Sequence, residues 1–152
     1  MRKVKKAAQG ICRGGFFIAR NVGDMSQDLL FVYGSLRPGF GGEMAKWLAS
    51  VAQAAGAAVA RGTLYRIDYY PGFVAGAEGN VVGELFRLPD AAAILAVLDE
   101  HEECGAHFPP PQEYRRERVK VETADGVVEA WTYVYARDVT GLERIASGDF
   151  LR

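Results

Sequence analysis

Apolar residues occur along this chain in short segments whose spacing predicts strands and helices. The first segment, 29–33, reads Leu-Leu-Phe-Val-Tyr without a polar break and is followed by a turn rich in glycine and proline. Such a run predicts a buried strand that leads into a loop. Four further strands are predicted, at 57–68, 81–88, 114–122 and 127–137, the last two as a hairpin around Ala124-Asp125-Gly126.

Two other segments carry apolar residues at helical spacing. In 43–55 these residues form one stripe, and Gly56 follows as a predicted C-cap. The second helix is predicted at 91–102, directly after Pro89 and Asp90. Because strands outnumber helices and hairpins alternate with helical crossovers, we predict an α+β fold. A small mixed β-barrel flanked by two helices is its most economical arrangement.

Length and composition are typical of one soluble globular domain. The chain has 152 residues, of which 49% are hydrophobic and 24% are charged. No apolar run approaches the roughly 18 residues that a membrane-spanning helix needs, so no membrane partner is expected. The two cysteines, Cys12 and Cys104, give no disulfide framework and indicate a reducing compartment, for which the cytoplasm is the default.

Basic side chains are concentrated at the start of the chain. Residues 1–20 carry six of them and no acidic group, so the net charge of −1 leaves −7 on the remainder. We interpret 1–27 as a flexible basic extension and 28–152 as the functional domain, with an RNA-binding arm or a targeting peptide as the alternative for the extension. Since the body is acidic, no nucleic-acid partner is expected.

The end of the second predicted helix is rich in acidic residues, of which Glu102 is distinctive. It lies four residues after Leu98 and continues the stripe of Leu95 and Leu98, whereas its acidic neighbours fall to the sides. Burial and the negative end of the helix dipole both raise the pKa of such an inward carboxylate towards neutrality. Glu102 is therefore a candidate general base. A frayed helix end with every acid in water is the alternative that the spacing leaves open.

The turn after the first strand is a candidate binding loop. A glycine at a strand end allows φ values that other residues resist, and it lets a ligand approach the main chain closely. The amides of Gly34, Ser35 and Leu36 can then form a nest for a carboxylate or an oxyanion. A tight turn that binds nothing is the simpler interpretation of an isolated Tyr-Gly-Ser.

Six short motifs occur in order along the body of the chain. They read Tyr-Gly-Ser-Leu at 33–36, Tyr-Pro-Gly at 70–72, Gly-Glu-Leu-Phe at 83–86, Leu-Asp-x-x-Glu at 98–102, Tyr-x-Arg at 114–116 and Gly-Asp-Phe at 148–150. The ordered set resembles the gamma-glutamylcyclotransferase-like family, small enzymes that release 5-oxoproline from gamma-glutamyl amines.

This resemblance implies a cofactor-independent cyclotransferase built on a small mixed β-barrel, with no metal. Glu102 would be the catalytic residue, which takes a proton from the substrate's α-ammonium and returns it to the departing amine once the nitrogen has attacked the γ-carbonyl. Tyr33 and Tyr114 would shape the pocket and donate hydrogen bonds. The implied substrate-binding residues are Tyr33, Gly34, Ser35, Leu36 and Tyr114.

Two further residues have competing interpretations. Glu84 is a second candidate for the base, although a strand carboxylate among apolar neighbours more often has a structural partner. Arg116 either binds a carboxylate of the substrate or pairs with Glu84, and we favour the structural role.

The chain departs from the family pattern at two places. Glu103 stands where the family usually has glycine after the catalytic glutamate. An extra acid there would raise the pKa of Glu102 further, or it would indicate a different ligand. Residues 104–113 form a longer segment than usual. We interpret it as a rim of the pocket that contacts the amine part of the substrate and distinguishes between amines.

Other function classes give different expectations. A non-catalytic small-molecule-binding or interaction module on the same barrel is the main alternative. A metal site at His101, Cys104 and His107 is disfavoured, because their spacing matches no standard zinc pattern. The expected partner is a gamma-glutamyl amine or a related ligand, whose amine part the sequence leaves open. The expected oligomeric state is a monomer or a weak dimer.

Overall fold

The computed structural model describes residues 28–152, so the extension predicted at 1–27 lies outside the described residues. In the described part the chain forms six strands, two α-helices and one 3₁₀ turn. The strands are β1 (Asp28–Val32), β2 (Gln53–Arg66), β3 (Pro71–Leu88), β4 (Tyr114–Thr123), β5 (Gly126–Tyr135) and β6 (Glu143–Arg144). The helices are α1 (Glu43–Val51) and α2 (Ala91–Glu102), and the 3₁₀ turn is Pro38–Phe40.

The strands form one mixed sheet in the order β3-β1-β5-β4-β2-β6, and an additional pairing between β3 and β2 closes five of them into a ring. β1 runs parallel to β5, with Leu30 opposite Trp131, and the other pairings are antiparallel. The predicted α+β class is therefore confirmed, with two helices packed outside a ring-like sheet.

β1 shows why its sequence is continuously apolar. Successive side chains of a strand point to opposite faces, and here both faces are covered. Leu30 and Val32 pack with the helices against Leu98, whereas Phe31 and Tyr33 belong to the second core cluster within the ring. The strand therefore ends with its last residues fixed on both sides, which fixes the start of the loop that follows.

The first helix is shorter than its sequence pattern predicts. We expected it to extend over 43–55 with Gly56 as its C-cap, but α1 ends at Val51 and β2 begins at Gln53. Gly56 instead has φ +100° and lies within a register shift between Ala54 and Ala57 of β2, which is typical of a bulge. Alanine favours a helix over a strand, so here the backbone pairing with β3 overrides the local propensity of the segment.

The second helix was predicted correctly, and its boundaries matter for the site. Asp90 caps the N-terminus of α2, because its side chain accepts a hydrogen bond from the amide of Ala93 at 3.4 Å. At the other end, Glu103 is in the left-handed conformation with φ +55°, and its amide donates to the carbonyls of Asp99 and Glu100. Glu102 is therefore the last helical residue. The hairpin of β4 and β5 was also predicted correctly.

Candidate active site

A half-open cavity of about 280 Å³ lies where β1 and α2 end and β4 begins. The turn between β2 and β3 and the middle of β5 complete its walls. All six site residues expected from the sequence line it, together with two further acids and three further tyrosines. The six are Tyr33, Gly34, Ser35, Leu36, Glu102 and Tyr114.

Glu102 enters this cavity from the end of α2. Leu95 and Leu98, which precede it on the same face, are buried at 6% and 0% exposure, so the face that carries Glu102 is the packed one. Burial raises the pKa of Glu102 to about 7, and the negative charge of Glu113 adds to the rise. The side chain is thus inward, and the alternative of a frayed, solvated helix end is wrong. At neutral pH both protonation states of the carboxyl are populated.

Glu113 is the acidic neighbour that sequence reasoning did not single out. It immediately precedes β4, lines the cavity and accepts a hydrogen bond of 2.6 Å from the hydroxyl of Tyr70. We expected an additional acid at Glu103 to raise the pKa of Glu102, but the second cause after burial is Glu113. The sequence shows Glu113 only as the last residue of the predicted rim, with nothing to indicate that it faces Glu102.

The loop 34–36 is a tight turn in which the amide of Arg37 donates to the carbonyl of Gly34 at 3.0 Å. Gly34 does not have the positive φ that we expected to explain it. Glycine is required for a different reason, since a Cβ at this position would lie 2.7 Å from Cγ of Pro71. Among residues 28–152, no acceptor is found for the amides of Gly34, Ser35 and Leu36. They are free to receive an anionic oxygen, and the nest remains a prediction.

Arg37 fixes this loop, although sequence reasoning missed it. Its guanidinium is buried and donates to both carboxylate oxygens of Glu84, at 2.9 and 3.2 Å, and to Oδ1 of Asp149 at 2.7 Å. Glu84 therefore has the structural partner that its position suggested. The only sequence signal for Asp149 is the Gly-Asp-Phe motif near the end of the chain, and nothing local connects that motif with Arg37.

Arg116 has the structural role that we favoured, but its partner is not Glu84. Its Nε lies 3.0 Å from Oδ1 of Asp99, and its guanidinium carbon lies 4.6 Å from the centre of the Trp131 ring. Asp99 also accepts a hydrogen bond of 2.7 Å from the hydroxyl of Tyr133. These contacts join the last turn of α2 to the β4–β5 hairpin, directly behind Glu102.

The two tyrosines of the expected site differ from the prediction in their hydrogen bonds. Tyr33 donates its hydroxyl proton to the carbonyl of Tyr133 and Tyr114 donates to the carbonyl of Pro71, each at 2.6 Å. Burial raises the pKa of both hydroxyls, and the Glu102 charge is a further cause. Since their protons are engaged by the main chain, towards a ligand these oxygens can only accept. They suit an ammonium group better than a carbonyl.

Metal ligation receives no support in the described part of the chain, where no group of three potential ligands converges. Cys104 is buried against Asp99, at 3.7 Å from its Oδ1, whereas His107 lies outside and contacts Glu100. Within residues 28–152, the helices are also too short or too polar to cross a bilayer.

Comparison with known proteins gives a consistent result. Residues 30–152 match the family described as gamma-glutamyl cyclotransferase, AIG2-like. The gamma-glutamylcyclotransferase family protein YtfP of Escherichia coli K12 is 36% identical over 122 residues, which cover 80% of this chain and 95% of YtfP. The solution structure of YtfP matches with a TM-score of 0.58 over 81% of this chain and 96% of that protein.

A second structural relative is YkqA from Bacillus subtilis, whose crystal structure matches with a TM-score of 0.61 at 27% identity. The match covers 82% of this chain but 39% of YkqA, so this chain spans about two fifths of that protein. The family match and the fold likeness thus extend over nearly all of the described domain, and we conclude that the chain belongs to the gamma-glutamyl cyclotransferase, AIG2-like family.

Proposed function

We propose that this protein is a gamma-glutamyl cyclotransferase, which releases 5-oxoproline and a free amine from a gamma-glutamyl amine. The arrangement of one cavity carries the proposal. Glu102 is a partly buried carboxyl with a pKa raised to about 7, and it shares the cavity with the loop 34–36, whose amides find no acceptor within residues 28–152. Membership of the family supports the same reaction class. A base poised near neutrality and a preformed anion site are the two groups that this cyclisation needs.

Glu102 acts on the nitrogen that becomes part of the ring. Its carboxylate takes a proton from the substrate's α-ammonium, and the neutral nitrogen then attacks the γ-carbonyl carbon to form a five-membered ring. As the tetrahedral intermediate collapses, the bond from this carbon to the departing nitrogen breaks. Of the three protons on the original ammonium, one stays on the lactam nitrogen and two reach the departing amine, with Glu102 as the relay.

The loop 34–36 and the tyrosines hold the glutamyl part of the substrate. The amides of Gly34, Ser35 and Leu36, which have no acceptor in the described part of the chain, receive an anionic oxygen, either the α-carboxylate or the developing oxyanion. The oxygens of Tyr33 and Tyr114 can accept hydrogen bonds from the α-ammonium. Because nucleophile and electrophile belong to one molecule, holding them in a bent conformation supplies much of the rate enhancement.

The experiment is 5-oxoproline release from a panel of gamma-glutamyl amines by wild type, Glu102→Gln and Glu100→Gln. Glu100 is an exposed residue of α2 outside the cavity lining, so its variant is a matched control. We expect Glu102→Gln to lose about 100-fold or more of the activity and Glu100→Gln to retain it. An active Glu102→Gln enzyme would remove Glu102 from the mechanism. A wild type that is thermally stabilised by these compounds without turning them over would indicate a binding module instead.

A further inference from the structure

The charge inside the cavity is more negative than the reaction requires. Among residues 28–152, three acidic residues line it, Glu102, Glu103 and Glu113, and the only basic lining residue is His101. The nearest buried guanidinium, that of Arg37, is held by Glu84 and Asp149 and is not part of the lining. A substrate whose α-ammonium is met by Glu102 and whose anionic oxygen is met by main-chain amides leaves Glu113 with no group of the glutamyl part to bind.

Glu113 is held in place rather than free to turn into solvent. The hydroxyl of Tyr70 donates to its carboxylate at 2.6 Å, and its own carbonyl accepts from the amide of Ala136 at 2.7 Å. The preceding residue, Gln112, crosslinks the rim by hydrogen bonds. Its side-chain nitrogen donates to the carbonyls of Gly105 and Phe108 at 2.7 and 2.9 Å. The rim therefore presents the Glu113 carboxylate at a fixed position in the cavity wall.

The position of Glu113 corresponds to the amine part of the substrate. Glu102 and the loop 34–36 occupy the glutamyl end in the proposed reaction, and the remaining wall includes Glu113, Tyr69 and Tyr70. Tyr69 is 73% exposed, which places this wall at the mouth of the cavity. Its ring stands edge-on to that of Tyr70 at 5.1 Å. A carboxylate beside two aromatic rings is a combination that attracts an organic cation.

We propose that Glu113 is a specificity-determining residue, which selects gamma-glutamyl amines whose departing amine carries a second positive charge and no carboxylate, as in a gamma-glutamyl diamine. The inference rests on the proposed cyclotransferase function, since it assigns the glutamyl end to Glu102 and the loop. A carboxylate in the departing part would meet Glu113 and Glu102 at close range and would be repelled.

The test uses three gamma-glutamyl compounds with the same four-carbon chain in the amine part. These are the conjugates of 1,4-diaminobutane, n-butylamine and 4-aminobutyrate, whose distal groups are cationic, neutral and anionic at pH 7.5. The readout is the ratio of kcat/KM between substrates for each enzyme. A general loss of activity or stability cancels in this ratio, so it reports charge selection alone.

The variants are Glu113→Gln and, as a control, Glu122→Gln, which makes the same charge change at an exposed position of β4 outside the cavity. Glutamine at 113 still offers an oxygen to the Tyr70 hydroxyl, so the rim keeps its hydrogen bond. We expect wild type and Glu122→Gln to prefer the diamine conjugate over the butylamine conjugate by about tenfold. We expect Glu113→Gln to lose that preference.

Two results would overturn the inference, and they differ in what they say about the reaction. Release of 5-oxoproline with no preference for the diamine conjugate, or with a preference that survives in Glu113→Gln, would contradict the selection and leave the proposed function standing. No release from any of the three compounds would contradict both.

Discussion

Arg37 and Asp149 are 112 residues apart in the chain, yet Nη1 of the arginine donates to Oδ1 of the aspartate at 2.7 Å. The arginine directly follows the loop 34–36, and the aspartate lies in the last segment of the chain, so the end of the chain holds the candidate anion site in place. Glu84 of β3 accepts from the other side of the same guanidinium. The loop is thereby fixed by two side chains, those of Glu84 and Asp149, that do not themselves line the cavity.

Replacement of Arg37 by alanine should destabilise the fold. It would remove the buried cation beside Asp149 and leave it the exposed Arg152, at 3.4 Å, as an ion-pair partner. We expect the free energy of unfolding to fall by about 2 to 4 kcal/mol, measured by urea denaturation at pH 7. Arg87→Ala, at an exposed position of β3, is the control and should change stability by less than about 0.5 kcal/mol. Equal losses in the two variants would show that the buried contacts contribute nothing beyond those of a surface arginine.

The same ion pair should weaken in acid. Burial alone would raise the pKa of Asp149, but the hydrogen bond from Arg37, the Leu151 amide and the charges of Arg37 and Arg152 hold that pKa below its usual value. A depressed folded-state pKa means that the contribution is present above the unfolded-state pKa and is lost as the pH falls through the folded-state value. The stability difference between wild type and Arg37→Ala should therefore shrink below about pH 4. A difference that stays constant down to pH 2 would contradict the ion pair as its source.

The contrast between α2 and Arg37 shows what the sequence can predict. Leu95, Leu98 and Glu102 are spaced by three and four residues, so the face of the helix, and with it the inward carboxylate, follows from local geometry. The partners of Arg37 lie 47 and 112 residues away. No periodicity connects residues at such separations, and only the closed ring of strands brings them together.

Glu113 and the end of α1 were missed for different reasons. Glu113 belongs to an irregular segment, where spacing does not say which way a side chain points. The alanine-rich stretch after Val51 favours a helix by local propensity, and its pairing with β3, which the local sequence does not show, makes it a strand instead. The loop 34–36 was identified because a continuous apolar strand ends there abruptly, but the reason for Gly34 required the position of Pro71.

The pH dependence of turnover should follow Glu102. A general base must be ionised, and the pKa of Glu102 is raised to about 7, first by burial and then by Glu113, so kcat/KM should rise with pH through about 7 before it levels off. In Glu113→Gln the second cause is absent, and the acidic limb should move to lower pH. An acidic limb near pH 4.5 in wild type, the ordinary value for glutamate, would contradict the buried state of the base.

The stability of Glu102→Gln relative to wild type should also depend on pH. Between pH 4.5 and about 7 the folded wild type retains a proton on Glu102 that the unfolded chain has lost, so wild-type stability falls as the pH rises through this window. Glutamine does not titrate. As the pH rises through this window, the free energy of unfolding of the variant should therefore increase by about 2 to 3 kcal/mol relative to that of wild type. Urea denaturation at pH 4.5, 6 and 8 measures this difference. A difference that is independent of pH would show that Glu102 titrates alike in the folded and unfolded states.

Glu103→Gly should stabilise the protein. Glu103 ends α2 with φ +55°, a conformation that costs a side chain about 1 kcal/mol or more and costs glycine little. Part of the gain is offset by the greater freedom of glycine in the unfolded chain, so we expect a net increase of about 0.5 kcal/mol in the free energy of unfolding. Glu103→Ala is the control, because it removes the same charge but keeps a Cβ. If alanine stabilises as much as glycine does, the charge of Glu103 is responsible and the backbone strain is not.

Gly34→Ala should impair the loop without touching the base. The added Cβ would lie 2.7 and 2.9 Å from two ring carbons of Pro71, whose main-chain carbonyl accepts the hydrogen bond of Tyr114. The turn or the proline must shift to relieve this overlap, and either movement displaces the amides that receive the substrate's anionic oxygen. We expect a stability loss of about 1 to 3 kcal/mol and a fall in kcat/KM, with the acidic limb near pH 7 unchanged because the surroundings of Glu102 are retained.

Gly76→Ala is the matched control, since a Cβ there meets no atom within 4 Å and Gly76 does not have a positive φ. Retention of full activity in Gly34→Ala would mean that the close approach to Pro71 is not what positions the loop.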